Sequence, residues 1–279
     1  MLLLVEQCLN GLQFGLLLFL LAAGLTLVFG IMDLVNLAHG SLYMMGAYFA
    51  ATFVAWTGNF FAGAFLALAA TLLLGIVLEM LALRPLYGRD HLDHVLGTFG
   101  LILFFNELVR LVWGPAGLSL PVPSALNTAV DIFGIYYPAY RLLIILVSLL
   151  VALFLYVVVM RTRLGMLIRA GASNREMAGA MAGPILSVQS GMGEPVLITT
   201  LVVIVIGGIG SVGGAFYAAL IVGLVDTLGR AFLPVLLRQV AERSIADAAG
   251  PALASMSVYL LMAVVLACRP QGLFPAKRG

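Results

Sequence analysis

Four stretches of this chain, Gly11–Phe29, Phe60–Leu78, Leu142–Met160 and Ser255–Cys268, each hold about 14 to 20 residues with almost no charge, near the length a helix needs to cross the ~30 Å hydrocarbon core of a bilayer. The apolar residues are continuous rather than alternating. They therefore predict transmembrane helices and not the strands of a membrane barrel, which alternate with a period of two. Composition closes the other route: 63% of the residues are hydrophobic, 9% are charged and the mean hydropathy is +1.16, so too few polar groups exist to cover a surface in water. The solvent of this chain is lipid.

The first run follows Met1–Asn10, which carries Glu6 and no Lys or Arg, and it ends without a small-residue cleavage pattern. It reads as a mature helix rather than a secretory signal. Cys8 and Cys268 lie in apolar stretches at opposite ends, where a thiol packs as a small hydrophobe. Net charge is only +2 and the basic residues sit in short loops, which argues against nucleic acid as a partner.

About eight spans are predicted, near Cys8–Gly30, Leu42–Trp56, Phe60–Ala82, Val95–Trp113, Leu142–Met160, Val196–Ile206, Gly213–Gly229 and Leu253–Cys268. Arginines and lysines in short loops stay on the cytoplasmic side. Arg161–Gly179, with Arg161, Arg163, Arg169 and Arg175, is expected inside, as are Arg84–His94 and the C-terminus with Arg269, Lys277 and Arg278. Gly114–Tyr140, with the single acid Asp131, is expected outside, and counting back from Arg84 puts the N-terminus outside too, with the segment around Asp33–His39 at or near the inner side. Between Arg175 and Arg269, however, an even number of crossings is required and only three apolar runs are visible. Parity fails in that interval: either one run is re-entrant, or the irregular stretch Met181–Pro195 takes an unusual course, or a span that should follow Ala180 is absent.

Polar atoms at membrane depth are costly unless they line a cavity or pair with protein, so by default they mark a pathway. Asp33, Asn36, His39 and Ser41 gather an acid, an amide, an imidazole and a hydroxyl between two apolar helices, and are the first candidates. The competing reading is a solvated cytoplasmic turn in which Asp33 caps the next helix. Small residues at Gly46, Ala50 and Ala51 of that helix permit close approach of a neighbour. A second break runs through Gly207, Gly208, Gly210 and Ser211 to Gly213 and Gly214, where helix propensity is poor. Gly40-Ser41 with Gly46-Ala47-Tyr48-Phe49-Ala50 is weakly echoed by Gly210-Ser211 with Gly214-Ala215-Phe216-Tyr217-Ala218, at a spacing that differs by two. Paired broken helices in two halves are where transporters place their path; plain helix packing through small residues is the alternative.

Beyond Gly171, Ser173 can cap a short helix, with Glu176 three residues on completing a capping box. That makes a small cytoplasmic helix, with Met177 and Ala180 as its apolar edge, presented to something. Arg161 and Arg163 serve as orientation signals. Glu107 with Arg110, and Glu79 with Arg84, are spaced as structural ion pairs. His91 and His94 with Asp90 and Asp93 read as a solvated loop rather than a metal site, which needs ligands converging from fixed positions. There is no phosphate loop with its Lys, no zinc-protease His-Glu pair and no nucleophile elbow, so the chain is not expected to be an enzyme. A membrane-embedded enzyme would have only His39 with Asp33, and an ion-coupled secondary transporter or channel would carry more intramembrane acids than Asp33.

Three segments together, Asp33-Leu-Val-Asn36-Leu-Ala-His39-Gly40-Ser41, Arg169-Ala-Gly-Ala-Ser173-Asn174-Arg175-Glu176-Met-Ala178 and Gly207-Gly-Ile-Gly210-Ser-Val-Gly213-Gly-Ala-Phe, resemble the permeases of branched-chain amino acid ABC transporters, specifically the Liv-type H subunit. The resemblance runs in order over nearly the whole chain. It implies an all-α polytopic bundle, one permease domain over residues 1–279, with broken helices around a substrate path and a cytoplasmic coupling helix, embedded in lipid of the inner membrane. It further implies a second Liv-type permease, two ATP-binding subunits that hold the ATP and Mg while this chain holds no cofactor, and a periplasmic substrate-binding protein. The segment Gly171, Ser173, Asn174, Arg175, Glu176 and Ala178 resembles the helix that docks on the ATPase. Family members continue past the Ala178-Gly179-Ala180 equivalent with a cytoplasmic stretch and a further span. Here Met181 runs straight into Ala182-Gly183-Pro184-Ile185, where parity fails, so an internal deletion of roughly one helix is expected.

Overall fold

The computed structural model describes residues 2–32, 36–120, 122–123, 126–132, 134–161, 190–208, 211–239 and 242–274. Among them are eight α-helices: α1 (Leu2–Met32), α2 (His39–Thr57), α3 (Phe60–Leu78), α4 (His91–Trp113), α5 (Ala139–Arg161), α6 (Gly193–Gly207), α7 (Val212–Leu237) and α8 (Arg243–Cys268). Each coincides with one of the apolar runs, and the architecture is the helical bundle that those runs require. Six of the helices are long and apolar enough to cross a membrane, which makes this a multi-pass membrane protein. The other two, α2 and α6, fall short for different reasons. Helix α2 is built for burial, with 13 of its 19 residues inside the protein and Gly, Ala, Met and Tyr along its length. Helix α6 has only 15 residues, ~22 Å of rise.

The chain divides into two compact units that interleave in sequence. One comprises Leu27–Asn127 and Leu155–Thr199. In it, Gly58 turns the backbone at φ 65° to end α2, and the Asn59 side chain accepts the N–H groups of Phe61 (2.9 Å) and Ala62 (3.2 Å) to start α3. This two-residue link folds α2 and α3 into an antiparallel hairpin in which Gly63 lies against the Val54 backbone. Only four of the 19 residues of α3 are buried, while Phe65, Leu73 and Leu81 stand open. Such apolar faces are destined for lipid. Helix α3 ends in a π turn (Glu79–Leu83) and a short 3₁₀ segment carrying Pro85, whose ring and missing N–H prevent the helix from continuing. Glu79 accepts from the Tyr87 hydroxyl (3.0 Å) rather than pairing with Arg84. Glu107 and Arg110 do pair, at 2.9 Å. Trp113, at the end of α4, donates its indole N–H to Thr52 of α2 (2.8 Å) and packs on Tyr48.

The other unit comprises Met1–Thr26, Thr128–Phe154 and Thr200–Gly279. Helices α1 and α7 run antiparallel along a seam of glycines: Gly11 meets Leu224, Gly15 meets Ala219 and Leu220, and Phe19 meets Phe216 edge-on. With no hydrophobic drive between helices in lipid, close backbone approach supplies the dispersion contacts that hold them. Helices α7 and α8 form a second antiparallel pair, tied by Arg230 to Ser255 (2.8 Å) and Arg238 to Asp247 (2.6 Å). Both extend past the expected limits Gly229 and Leu253, to Leu237 and back to Arg243. An unpredicted hairpin, β1 (Ala129–Ile132) with β2 (Ile135–Pro138), precedes α5. Its turn is set by Gly134 at φ 84°, whose N–H is accepted by the Asp131 carboxylate (2.8 Å). Asn10 ties α1 to this region by accepting from the Tyr137 hydroxyl (3.0 Å) and the Arg141 guanidinium (2.6 Å). Burial pushes the Tyr137 phenol above its usual pKa, with Arg141 pulling in the opposite direction.

Two successive antiparallel contacts, α1 on α7 and α7 on α8, make α1 parallel to α8. The start of α1 and the end of α8 therefore lie at opposite ends of this unit, which demands an odd number of crossings. The eight helices among the described residues would, if all crossed, give an even one, so these helices alone do not supply the count.

A Cβ on Gly223 would meet the backbone of Gly11 and Gly15, whereas one on Gly100 would meet nothing within 4 Å. We expect Gly223→Val to destabilise the detergent-solubilised protein by about 1–3 kcal/mol, read as a lower melting temperature. Gly100→Ala, in the middle of α4, is expected to hold or raise it.

Candidate functional site

The break before α2 is buried rather than solvated. Asn36, His39 and Ser41 are 1%, 2% and 3% exposed, although all three are polar. The solvated-turn reading is overturned for these residues, and the N-cap of α2 is Ala38, with no side chain accepting its first N–H groups. Asp33 lies outside the described residues. The turn is closed locally: Asn36 Oδ1 accepts the Ala38 N–H (3.1 Å), and the Ala38 carbonyl accepts from Ser41 (3.0 Å) and Leu42 (3.2 Å). The amide Nδ2 of Asn36 is left buried without a hydrogen-bond partner.

The first turn of α6 lies directly against this turn. A Cβ on Gly40 would strike the Gly193 carbonyl and come within 3.1 Å of the Leu197 side chain, and one on Gly193 would strike Gly40 in return. Both positions must be glycine for the two helix starts to touch. Just ahead of α6, the Gly191 N–H points at Met44 Sδ (3.3 Å) and the Ser190 hydroxyl donates to the Asn106 carbonyl (3.2 Å). Asn106 Nδ2 in turn donates to Glu194 (2.7 Å). Nothing in the sequence pairs Asn106 with Glu194, 88 residues apart. The only signal is that each is a polar residue interrupting an apolar run.

Depth follows from the helix rise. Trp113 belongs to the type that anchors at a membrane interface. It bonds to Thr52, 13 residues along α2 from His39, so α2 starts roughly 20 Å below that level.

The second break, in the other unit, has the same local plan. Helix α6 ends at Gly207, Gly208 turns at φ 102°, and the Ser211 hydroxyl caps α7 by accepting the Gly214 N–H (3.0 Å). Gly207 and Gly214 approach so closely that neither tolerates a side chain. Gly207 and Gly208 are buried, Ser211 is half-buried, and Gly210 lies outside the described residues. The segment that follows α8 lies against this break, with the Leu273 and Phe274 N–H groups donating to the Ile206 and Gly207 carbonyls (2.8 and 3.1 Å). Each unit thus carries a break followed by a helix, a reversal and a second helix, which is the three-dimensional counterpart of the weak sequence echo. Asn36, His39 and Ser41 are brought together in one unit, and Gly207, Gly208 and Ser211 in the other.

The proposed coupling residues Gly171, Ser173, Asn174, Arg175, Glu176 and Ala178 all lie outside the described residues. His91 and His94 sit in the first turn of α4 rather than in a solvated loop; His94 is buried with Nε2 2.8 Å from the Leu86 carbonyl. Cys8 is half-buried and Cys268 is exposed at the end of α8.

Comparison with known proteins adds a family. The model of the family described as branched-chain amino acid transport system / permease component matches residues 7–188. The chain is similar to the high-affinity branched-chain amino acid transport system permease protein BraD of Pseudomonas aeruginosa, at 27% identity over 307 aligned positions covering 96% of this chain and 95% of the relative. It is also similar to the permease protein LivH of Salmonella typhimurium and of Escherichia coli K12, each at 27% identity covering 82% of this chain and 87% of the relative. No solved structure matches. Since 96% of 279 residues is about 268, about 39 of the positions aligned with BraD fall opposite gaps in this chain.

The Gly40–Gly193 contact is testable without any transport assay. In a background with Cys8 and Cys268 replaced by serine, Ser41→Cys is expected to resist a membrane-permeant maleimide, because Ser41 is enclosed. Adding Gly193→Val forces the two helices apart, and the labelling rate is expected to rise about tenfold or more, the factor that corresponds to ~1.4 kcal/mol of easier local opening. Equal labelling in both backgrounds would show that the contact does not enclose Ser41.

Proposed function

Because this chain belongs to the permease family of branched-chain amino acid transport systems, we propose that it is the membrane-spanning subunit of an ABC importer, carrying branched-chain or related amino acids across the bacterial inner membrane. The observation that carries the reading is the enclosed polar break at the start of α2, where Asn36, His39 and Ser41 are withheld from solvent deep within apolar helices. Polar groups are retained at such depth when they serve a path. The 279 residues act as one permease domain, with Asp33, Asn36, His39, Ser41, Gly207, Gly208, Gly210 and Ser211 along the path. The N-terminus faces the periplasm and the C-terminus, with Arg269, Lys277 and Arg278, the cytoplasm.

Energy comes from partners. Two ATP-binding subunits hold ATP and Mg, and the segment Gly171–Ala180 docks on them through Ser173, Asn174, Arg175 and Glu176. A second Liv-type permease and a periplasmic binding protein complete the assembly. Closure of the ATPases on ATP moves the docked segment, and the helices flanking the two breaks rearrange to alternate access. This chain itself supplies no catalytic group.

The gaps in this chain relative to BraD sum to about 39 positions, close to one span with its loop, which supports the loss of one span, put by the sequence near Met181–Pro184. Re-reading the coding DNA there is expected to give an uninterrupted gene matching this sequence; an additional in-frame stretch would remove the deletion.

In proteoliposomes holding the assembled subunits, uptake of leucine is expected to require ATP. Uptake that persists without ATP and follows an ion gradient would instead favour an ion-coupled carrier. Glu176→Lys, which inverts charge at the helix start, is expected to lower co-purification of the ATPase about tenfold while leaving the membrane part folded. Co-purification at the wild-type level would remove the coupling role.

A further inference from the structure

We propose that the segment following α8, Arg269–Phe274, is a releasable clasp that holds the break between α6 and α7 shut, so that its release opens that break. A helix leaves its last carbonyls without partners, and in apolar surroundings something else in the protein must serve them. At the end of α6 the clasp does so: the Leu273 N–H donates to the Ile206 carbonyl (2.8 Å) and the Phe274 N–H to the Gly207 carbonyl (3.1 Å). In an unbroken helix the Gly207 carbonyl would accept from Ser211, four residues on. Ser211 donates instead to the Gly208 carbonyl (3.1 Å), and the clasp stands in for the donor that the break withdraws.

The seat of the clasp is made of two glycines. Gly208 turns at φ 102° and Gly272 at φ 83°, and a Cβ on Gly272 would lie 2.6 Å from both Cα and N of Gly208. The Phe274 ring lies on the Tyr217 ring of α7, with 5.2 Å between centroids. The clasp therefore grips both sides of the break, α6 through its carbonyls and α7 through Tyr217. Its own shape is set locally: Pro270 stops α8 from continuing, and the Gly272 N–H closes a turn onto the Arg269 carbonyl (2.9 Å). Yet its hold is light. Arg269, Pro270, Gln271 and Phe274 are exposed, Leu273 is half-buried, and Gly272 alone of the six is buried. Few buried apolar contacts mark the elements that open while the rest of a protein stays folded. A turn of this kind leaves as a unit, uncovering the Ile206 and Gly207 carbonyls and freeing α6 from α7 at the break.

Amide hydrogen exchange on the full-length chain in detergent tests this. The Leu273 and Phe274 amides are expected to exchange at least about tenfold slower than in an unstructured peptide, and at least about tenfold faster than amides in the middle of α8. Exchange at the unstructured rate would show that the clasp is not seated, and exchange as slow as in α8 that it is a fixed part of the bundle; either result overturns the proposal. Gly272→Val, which drives the clasp off Gly208, is expected to speed exchange of the Gly208 and Ser211 amides at the break about tenfold while the protein still melts cooperatively. Phe274→Ala removes only the ring contact with Tyr217 and is expected to speed the same two amides about threefold. It takes the place of Gly272→Val if that variant does not melt cooperatively. Unchanged exchange at Gly208 and Ser211 in a variant that does melt cooperatively overturns the proposal as well. None of these readouts involves a cargo or ATP, so their failure leaves the transport reading standing, and failed uptake leaves the clasp standing.

Discussion

In hydrocarbon no water is available to a backbone N–H or C=O, so every interruption of a helix must be enclosed by protein. The rest of this structure depends on that constraint. Among the described residues, the break before α2 lies against the start of α6 through Gly40 and Gly193, and the break before α7 lies against the segment Gly272–Phe274 that follows α8. Enclosure requires backbones to approach closely, and close approach requires glycine. Gly40 with Gly193, and Gly207 with Gly214, each leave no room for a Cβ. The glycines thus explain the breaks twice over: they weaken the helix locally and admit the neighbour that shelters the exposed backbone.

The burial pattern is the other side of the same constraint. Helix α2, whose N-terminus is a break, is almost wholly inside, while α3, α4 and α5 turn faces of Leu, Phe and Val outward. A helix that faces lipid must be oily all round its exposed arc. One that faces protein can be small and polar, and α2 accordingly fails a test of apolarity that its neighbours pass. Hydropathy alone undervalues the helices nearest a path, because those helices are shielded from the solvent that hydropathy measures.

Much of the fold was legible in the residues. All eight helices fall on runs whose lack of charge marks them, and the pairing of Glu107 with Arg110 follows from their spacing. The buried set Asn36, His39 and Ser41 was also legible, as polar groups stranded between apolar segments. What escaped were contacts between distant segments. Asn106 with Glu194, and Asn10 with Tyr137 and Arg141, join residues far apart in the chain, and no local period encodes them. The β-hairpin escaped because its strands have only four residues each, set within a loop read as irregular. The ion pair expected between Glu79 and Arg84 is replaced by a hydrogen bond from the Tyr87 hydroxyl to Glu79, eight residues on, a spacing that no helical period encodes.

Asn10 is separated from Tyr137 by 127 residues, which a ribosome adds over on the order of ten seconds. Throughout that interval the amide near the head of α1 has only its neighbour Gln7 to bond with. Its lasting partners arrive only when the hairpin and the first turn of α5 have reached the same side of the membrane as the chain's beginning. The knot therefore acts as a late latch on assembly: it closes after α1 to α4 have been threaded in the correct sense, and an inverted α5 would leave Arg141 on the wrong face, away from Asn10.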